Sequence, residues 1–191
     1  DGATREKALE KLARIDNKIG YPSRWRDYAS LEVTRTSFFR DLLAAGAFET
    51  RRDLAKIGKP LARTEWQMTP PTVNAYYNAF NNEIVFPAGI LQPPFFDRAI
   101  DDAINYGGIG VVIGHEYTHG FDDQGSKFDP SGNLANWWTD ADRKAFDERT
   151  SCIASQYDAY VVVEDKANGD VRLNGRLTLG DTYVKWWRTQ E

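Results

Sequence analysis

The most restrictive feature of this sequence is a helical stretch in which two histidines lie four residues apart. The pattern His-Glu-x-x-His occupies residues 115–119 and follows an apolar, glycine-rich run over residues 109–113. An α-helix turns about 100° per residue, so His115 and His119 lie on one face, one turn apart. Two neutral imidazoles in this arrangement can both reach one zinc ion at about 2.0–2.1 Å. The sequence therefore predicts a buried active-site helix that binds zinc.

Glu116 follows the first histidine and points to the edge of the same helix face. From there it can take a proton from a zinc-bound water without binding the metal itself. This spacing is typical of metalloproteases. Alternatively, a pattern with three fixed letters can arise by chance in a surface helix. The chain has only two histidines and both are in the pattern, which favours the metal site.

Composition and charge limit the class of protein. A chain of 191 residues with 41% apolar residues is long enough for one globular domain, or one domain plus a small subdomain. The net charge of -4, the pI of about 5.3 and the absence of a basic stripe argue against nucleic acid as a partner. No apolar run approaches about 18 residues, so we expect no transmembrane segment. The sequence starts at Asp1-Gly2 with no methionine and no signal-peptide pattern, so we expect a processed or excised piece of a longer chain.

Cys152 is the only cysteine, so no internal disulfide can form. It lies in a predicted helix over residues 140–160 that Thr139 caps, and we expect a buried structural thiol there. Two further helices are predicted over residues 4–18 and 37–56, the second capped by Ser37. The charged residues of the first helix are interpreted as its solvated face.

Two short segments, residues 73–77 and 83–87, predict strands joined as a hairpin. Asn74 and Ala75 are small or polar where β-branched residues are favoured. One interpretation is that they leave room on an edge strand for another backbone to pair alongside. The alternative is an ordinary edge strand with a bend, and the pattern alone does not decide between the two.

The residues that follow the histidine pattern offer a partner for one of the imidazoles. A zinc-bound histidine normally donates its other ring N–H to an oxygen acceptor. Asp122, three residues after His119, is a candidate for that acceptor. The alternative is that Asp122 is only a residue of the turn that ends the helix. The glycines before the pattern predict that another element approaches the helix backbone closely.

Several motifs, in the same order along the chain, resemble the neprilysin-like zinc endopeptidases. They are Val-Asn-Ala-Tyr-Tyr at 73–77, Asn-Glu-Ile-Val-Phe-Pro-Ala-Gly-Ile-Leu-Gln at 82–92, Val-Ile-Gly-His-Glu-Tyr-Thr-His-Gly-Phe-Asp-Asp at 112–123, Trp-Trp at 137–138, Asn-Gly at 174–175 and Thr-Leu-Gly at 178–180. The resemblance covers about residues 20–181, and the lone cysteine is similar to the bacterial branch.

The resemblance implies an α+β fold, a thermolysin-like zincin catalytic domain that is mainly helical with a small mixed sheet and an edge-strand hairpin. The chain is then a single zinc metallopeptidase catalytic domain, with residues 1–60 as a helical lead-in and residues 66–191 as the zincin core. The resemblance also favours a periplasmic or secreted compartment.

The same resemblance implies roles for individual residues. His115 and His119 would bind one zinc ion, and Glu116 would be the general base. Asn74 and Ala75 would align the substrate through hydrogen bonds to its backbone.

The resemblance is incomplete at the C-terminal end of the sequence. The family continues Leu-Gly-Glu-Asn-Ile-Ala-Asp, in which the Glu is the third zinc ligand and the Asp supports a zinc histidine. Here Asp181 stands at the ligand position and Lys185 at the support position. The side chain of Asp181 is one methylene shorter than that of Glu, so the backbone must come closer to the metal.

The family also has, further along, a His that stabilises the oxyanion and an Arg that holds the substrate, and this sequence ends before either. Loss of one oxyanion donor costs about 10²–10³ in rate. We therefore expect a zinc-dependent endopeptidase of oligopeptides whose isolated chain is a fragment of low activity. The alternatives are a non-catalytic zinc- or peptide-binding module and a fragment that does not fold alone.

Overall fold

A three-stranded mixed sheet organises the fold. The computed structural model describes residues 1–165 and 167–182. Strand β1 spans Asp16–Gly20, β2 spans Tyr76–Asn78 and β3 spans Glu83–Pro87. The order is β1-β3-β2, with β1 parallel to β3 and β2 antiparallel to it. The predicted hairpin and mixed sheet are thus present, and β2 lies at an edge of the sheet. It begins at Tyr76, so Asn74 and Ala75 precede the strand and do not lie within it as predicted.

Strand β3 is the centre of the packing, and all five of its residues are buried. It is paired on both sides, so its side chains pack against neighbours from both adjoining strands. One cluster of buried apolar side chains surrounds it: Ile15, Ala75, Ile84, Phe86, Ile90 and Ile109. Glu83, also buried, is neutralised by Lys18 of β1, whose Nζ lies 2.5 Å from its carboxylate. A buried carboxylate needs such a partner because desolvation of an isolated charge is costly.

The first helix differs from the prediction in both its length and its buried face. Helix α1 spans Gly2–Ala13, whereas the periodicity predicted residues 4–18. Residues 16–20 form β1, because β3 offers a parallel partner, and pairing of this kind overrides local helix propensity. Leu9 and Leu12 are 50% and 42% exposed, while Lys11 is fully buried. The interpretation of every charged residue in this helix as solvated is therefore wrong for Lys11.

The chain divides into two compact units. Residues Asp1–Tyr21 and the described residues from Thr69 onward form the first unit, and Pro22–Met68 form the second. The N-terminal residues 1–21 belong to the unit that contains the sheet, because β1 pairs with β3. The second unit contains helix α2, Phe38–Leu54, capped as predicted by Ser37.

The segment that carries the histidine pattern is an interrupted helix. Helix α3, Asp102–Asn105, leads into a π-helical turn, Tyr106–Gly110, and then into helix α4, Val111–His119. At the turn, the N–H of Ile109 donates to the carbonyl of Phe95 at 2.8 Å. The carbonyl of Phe95 thus takes a donor that a regular α-helix would use in its own hydrogen-bond ladder.

The close approach predicted from the glycines is present at one of them. A Cβ atom on Gly108 would lie 2.4 Å from the carbonyl oxygen of Phe95. Gly107 and Gly114 have nothing within 4 Å of the equivalent position. The sequence therefore predicted a close backbone approach, but only the packing shows that it occurs at Gly108.

Helix α5, Asp140–Asp158, begins at Thr139, whose hydroxyl accepts from the N–H of Asp142 as predicted. It is followed by a two-stranded antiparallel ribbon, β4 (Val161–Val163) and β5 (Val171–Arg172). Cys152 is exposed, so the prediction of a buried thiol is wrong. The buried positions of α5 are on another face of the helix: Phe146, Thr150, Ile153 and Ala154.

Among the residues that the structure describes, no helix has both the length and the apolar character needed to cross a bilayer.

Candidate metal centre

Helix α4 brings its two imidazoles to one point. The Nε2 atoms of His115 and His119 lie 2.9 Å apart, and the rings meet at 89° with centroids 4.5 Å apart. Both side chains are about one-fifth exposed, at 20% and 23%. This is the arrangement that the four-residue spacing predicts. The two lone pairs are available to a cation in front of the helix.

Asp181 supplies an oxygen in front of the same two nitrogens. Its Oδ1 lies 3.6 Å from Nε2 of His115 and 3.8 Å from Nε2 of His119. The three ligand atoms lie within 4.8 Å of one another, a group that could hold a metal ion. Ligands about 2.1 Å from a tetrahedral ion are separated by about 3.4 Å. Two imidazoles and a carboxylate at these separations, with a fourth position open, fit zinc.

The residue before Asp181 is a glycine, and its lack of a side chain allows the backbone to reach this position. A Cβ atom on Gly180 would lie 3.0 Å from Oδ2 of Asp122 and 3.2 Å from Oδ1 of Asp123. The glycine therefore lets this segment approach the end of α4 closely, as the shorter Asp side chain requires. Lys185, at the support position of the family pattern, lies outside the described residues.

The two carboxylate oxygens of Asp122 have different hydrogen-bond partners. Oδ2 lies 2.7 Å from Nδ1 of His119, and Oδ1 accepts from the N–H groups of Gln124 at 2.9 Å and Gly125 at 2.7 Å. The two interpretations left open by the sequence, histidine partner and turn residue, therefore describe the same side chain. Because a carboxylate only accepts, Nδ1 of His119 carries the hydrogen, and in the neutral imidazole Nε2 keeps its lone pair.

The charges around His119 favour its protonated form in the metal-free protein. Burial opposes that form, but the hydrogen bond and charge of Asp122, with the charges of Glu116 and Asp181, raise the pKa of His119. A proton and a zinc ion compete for the same nitrogen.

Glu116 lies beside the histidines and is 5% exposed. Burial raises the pKa of Glu116 to about 7, and the charge of Asp181 adds to the rise. The charge of His119 and a hydrogen bond from the backbone of Tyr77 oppose it. A carboxyl group with a pKa near neutrality is well suited both to accept and to return a proton. No sequence pattern predicted the contact between the Tyr77 backbone and Glu116, because that contact depends on how β2 packs on α4.

A cleft of about 540 Å³ opens in front of these groups. Its lining includes Asn74 and Ala75 as well as His115, Glu116 and Asp181. Ala75 is buried, and its N–H donates to the side-chain oxygen of Asn74 at 2.9 Å. The residues that lead into edge strand β2 thus line the same cleft as the candidate metal ligands.

A helix with this pattern, a carboxylate from elsewhere in the chain and an adjoining edge strand are together typical of zinc-dependent peptidases. Comparisons with known proteins agree. Residues 74–184 match the profile of peptidase family M13. Neprilysin-3 of Drosophila melanogaster is 44% identical over 188 residues, which are 95% of this chain and 23% of that protein. Endothelin-converting enzyme 1 of Rattus norvegicus is also 44% identical, and the match covers 24% of its length.

Among solved structures, the Mycobacterium tuberculosis zinc metalloprotease Zmp1, in complex with an inhibitor, superposes with a TM-score of 0.87 at 50% identity. The match covers 96% of this chain and 28% of that one. The chain belongs to peptidase family M13, and both the resemblance to the neprilysin-like enzymes and the α+β zincin fold are confirmed. It spans about a quarter of the length of the curated relatives it matches.

Proposed function

We propose that this chain forms the zinc-binding and proton-transferring part of an M13 zinc endopeptidase that hydrolyses peptide bonds in oligopeptides. His115, His119 and Asp181 are the proposed ligands of one zinc ion. The observation that carries the proposal is the convergence of their three ligand atoms within 4.8 Å, beside the buried carboxyl of Glu116. Membership of the family supports the same chemistry.

The chain's own residues divide the chemistry among them. When bound, zinc supplies a Lewis acid that polarises the scissile carbonyl and acidifies water. Glu116 would accept a proton from the attacking water and would pass it to the departing amine. In the metal-free protein, its pKa of about 7 allows Glu116 both to take up and to release a proton near neutral pH. Asp122 fixes the tautomer and orientation of His119, so that this ligand needs no rearrangement when the metal binds.

The proposed substrate is an extended peptide that lies along edge strand β2. Within the described part of the chain, β2 is paired only on the β3 side, so the other side can accept a further backbone. Asn74 and Ala75, on the wall of the cleft, are the proposed contacts to that backbone. Main-chain hydrogen bonds of this kind would give affinity without strong dependence on the peptide's sequence.

The test compares wild type with Glu116→Gln. We expect the wild type to bind one zinc ion and to cleave a quenched peptide, and Glu116→Gln to retain zinc but lose about 10²–10⁴ in rate. The matched control is Glu148→Gln, which makes the same change on the exposed surface of α5 and should leave the rate unchanged. Zinc binding with no cleavage by the wild type would indicate the non-catalytic module. Failure to bind zinc at neutral pH would overturn the proposal.

We also propose that the protein acts outside the cytoplasm, in the periplasm or the medium. The family resemblance supports this compartment. Cell fractionation with an antibody against the chain tests it, and recovery in the cytoplasmic fraction alone would contradict it.

A further inference from the structure

The only fully buried lysine in the described part of the chain lies behind the metal centre. Lys11 is in the last turn of α1, more than 100 residues from the histidines in sequence. Its Nζ donates to the carbonyls of Gly125 at 2.6 Å and Phe128 at 2.7 Å. Three aromatic rings enclose the ammonium at 5.7–5.8 Å from their centroids: those of Tyr77, Phe121 and Trp137. Neither the zinc chemistry nor the substrate cleft uses this residue.

The turn that Lys11 holds is the same turn that carries Asp122. The N–H of Gly125 donates to Oδ1 of Asp122 at 2.7 Å, and Oδ2 of Asp122 contacts Nδ1 of His119 at 2.7 Å. Three consecutive contacts therefore run from Lys11 through Gly125 and Asp122 to an imidazole of the metal centre. Each of them is within hydrogen-bonding distance.

The turn packs tightly against the end of the helix that precedes it. A Cβ atom on Gly125 would lie 1.8 Å from the carbonyl oxygen of His119, so the turn packs directly against the end of α4. The backbone of Lys11 is fixed as well, because its carbonyl accepts from Nδ2 of Asn82 at 3.1 Å. The ammonium is thus a rigid link between the sheet side of the molecule and the turn.

The charge of Lys11 complements the same region. Burial lowers the pKa of Lys11 to about 8, while the nearby charges of Asp122 and Asp129 raise it. At neutral pH the ammonium therefore remains charged, and it offsets part of the negative charge behind the metal ligands. A buried ammonium is tolerated only with such partners.

We infer that Lys11 is a positioning residue of the metal centre: it fixes the turn of residues 122–128 and, through Asp122, the orientation of His119. The inference rests on the proposed zinc site. It predicts that removal of the ammonium weakens zinc binding, although Lys11 touches neither the metal ligands nor the cleft.

Lys11→Met tests the inference because it keeps the apolar stem and removes the donors. Both carbonyls retain a second donor, Trp137 Nε1 for Phe128 and the N–H of Phe128 for Gly125, so neither is left unpaired. The matched control is Thr4→Val on the same helix. It removes the hydroxyl that accepts from the N–H of Thr139 and so loosens α1 without touching the turn.

Zinc dissociation constants are measured by competition with a chromophoric chelator, at a temperature where every variant is folded. We expect a rise of about 10-fold for Lys11→Met, about 10–100-fold for Asp122→Asn, and less than about 2-fold for Thr4→Val. A second readout is the ring N–H resonance of His119 in the zinc-loaded protein. It should be sharp in wild type and Thr4→Val, and broadened by exchange in Lys11→Met. If Lys11→Met does not fold, Lys11→Gln, which keeps a neutral donor, takes its place with an expected rise of a few-fold.

The outcomes separate this inference from the proposed function. A wild type that binds no zinc would overturn both. Zinc affinity that falls in Asp122→Asn but stays at the wild-type value in the folded Lys11 variant would overturn the inference alone. Equal losses in that variant and in Thr4→Val would show a general effect of loosening α1, and would also overturn it.

Discussion

Lys11 should make the stability of this protein rise with pH above neutrality. Burial lowers the pKa of Lys11 from 10.5 to about 8 in the folded state, against the charges of Asp122 and Asp129. Between these two values the unfolded chain keeps the proton and the folded chain releases it. Because the unfolded state then binds more protons, raising the pH favours the folded state. The contribution is lost again as the pH falls through 8.

The size of the effect follows from the gap between the two pKa values of Lys11. A gap of about 2.5 pH units corresponds to about 3.4 kcal/mol across the whole window. Between pH 7 and pH 9.5 the expected gain in the free energy of unfolding is about 2 kcal/mol. Tyr77 does not interfere in this range, because burial raises its pKa above the ordinary value of 10 and it stays protonated.

The assay is urea unfolding followed by tryptophan fluorescence at several pH values from 7 to 9.5. Other titrating groups contribute equally to the unfolding free energies of wild type and Lys11→Met, so their contributions cancel when the two proteins are compared. The difference in unfolding free energy should move by about 2 kcal/mol in favour of wild type as the pH rises. Lys7→Met, an exposed change on the same helix, should show no such trend. Parallel curves for wild type and Lys11→Met would refute the reasoning, because Lys11 would then keep its ordinary pKa in the folded state.

Three further predictions follow from particular contacts. Gly108→Ala should lower the unfolding free energy by about 1–3 kcal/mol, because its Cβ would lie 2.4 Å from the carbonyl oxygen of Phe95. Gly107→Ala should cause no such loss, because the space around its Cβ position is open. Equal urea midpoints for the two variants would contradict this prediction. Cys152 is exposed, so an aromatic disulfide reagent should titrate one thiol in the native protein, and a thiol that reacts only in denaturant would show the opposite. Asp181→Ala should weaken zinc binding by at least about 10-fold in a chelator competition, and an unchanged dissociation constant would remove Asp181 from the ligand set.

Local spacing was a reliable guide wherever one helix or one hairpin settles the geometry. The two histidines meet because residues four apart in a helix always share a face. Ser37 and Thr139 cap helices because a short hydroxyl side chain reaches back to N–H groups only a few residues away. Asp122 reaches His119 for the same reason, across three residues.

Local spacing misled at α1, where two elements compete for the same residues. Residues 16–18 were predicted to continue the helix, yet residues 16–20 pair with β3 as a strand, because inter-strand hydrogen bonds outweigh a weak helix propensity. Lys11 was interpreted as solvated because charged side chains usually are. Its burial depends on two carbonyls and three rings from distant parts of the chain.

The sequence by itself determined the helix that presents two imidazoles and a carboxyl group, because these positions are fixed by the helical repeat. Family motifs added the position of Asp181. Only the tertiary structure decided that the oxygen of Asp181 lies 3.6–3.8 Å from both imidazoles, that Glu116 is desolvated enough to raise its pKa, and that an ammonium from the first helix holds the turn behind them. These distances join residues far apart in the chain, and packing alone sets them.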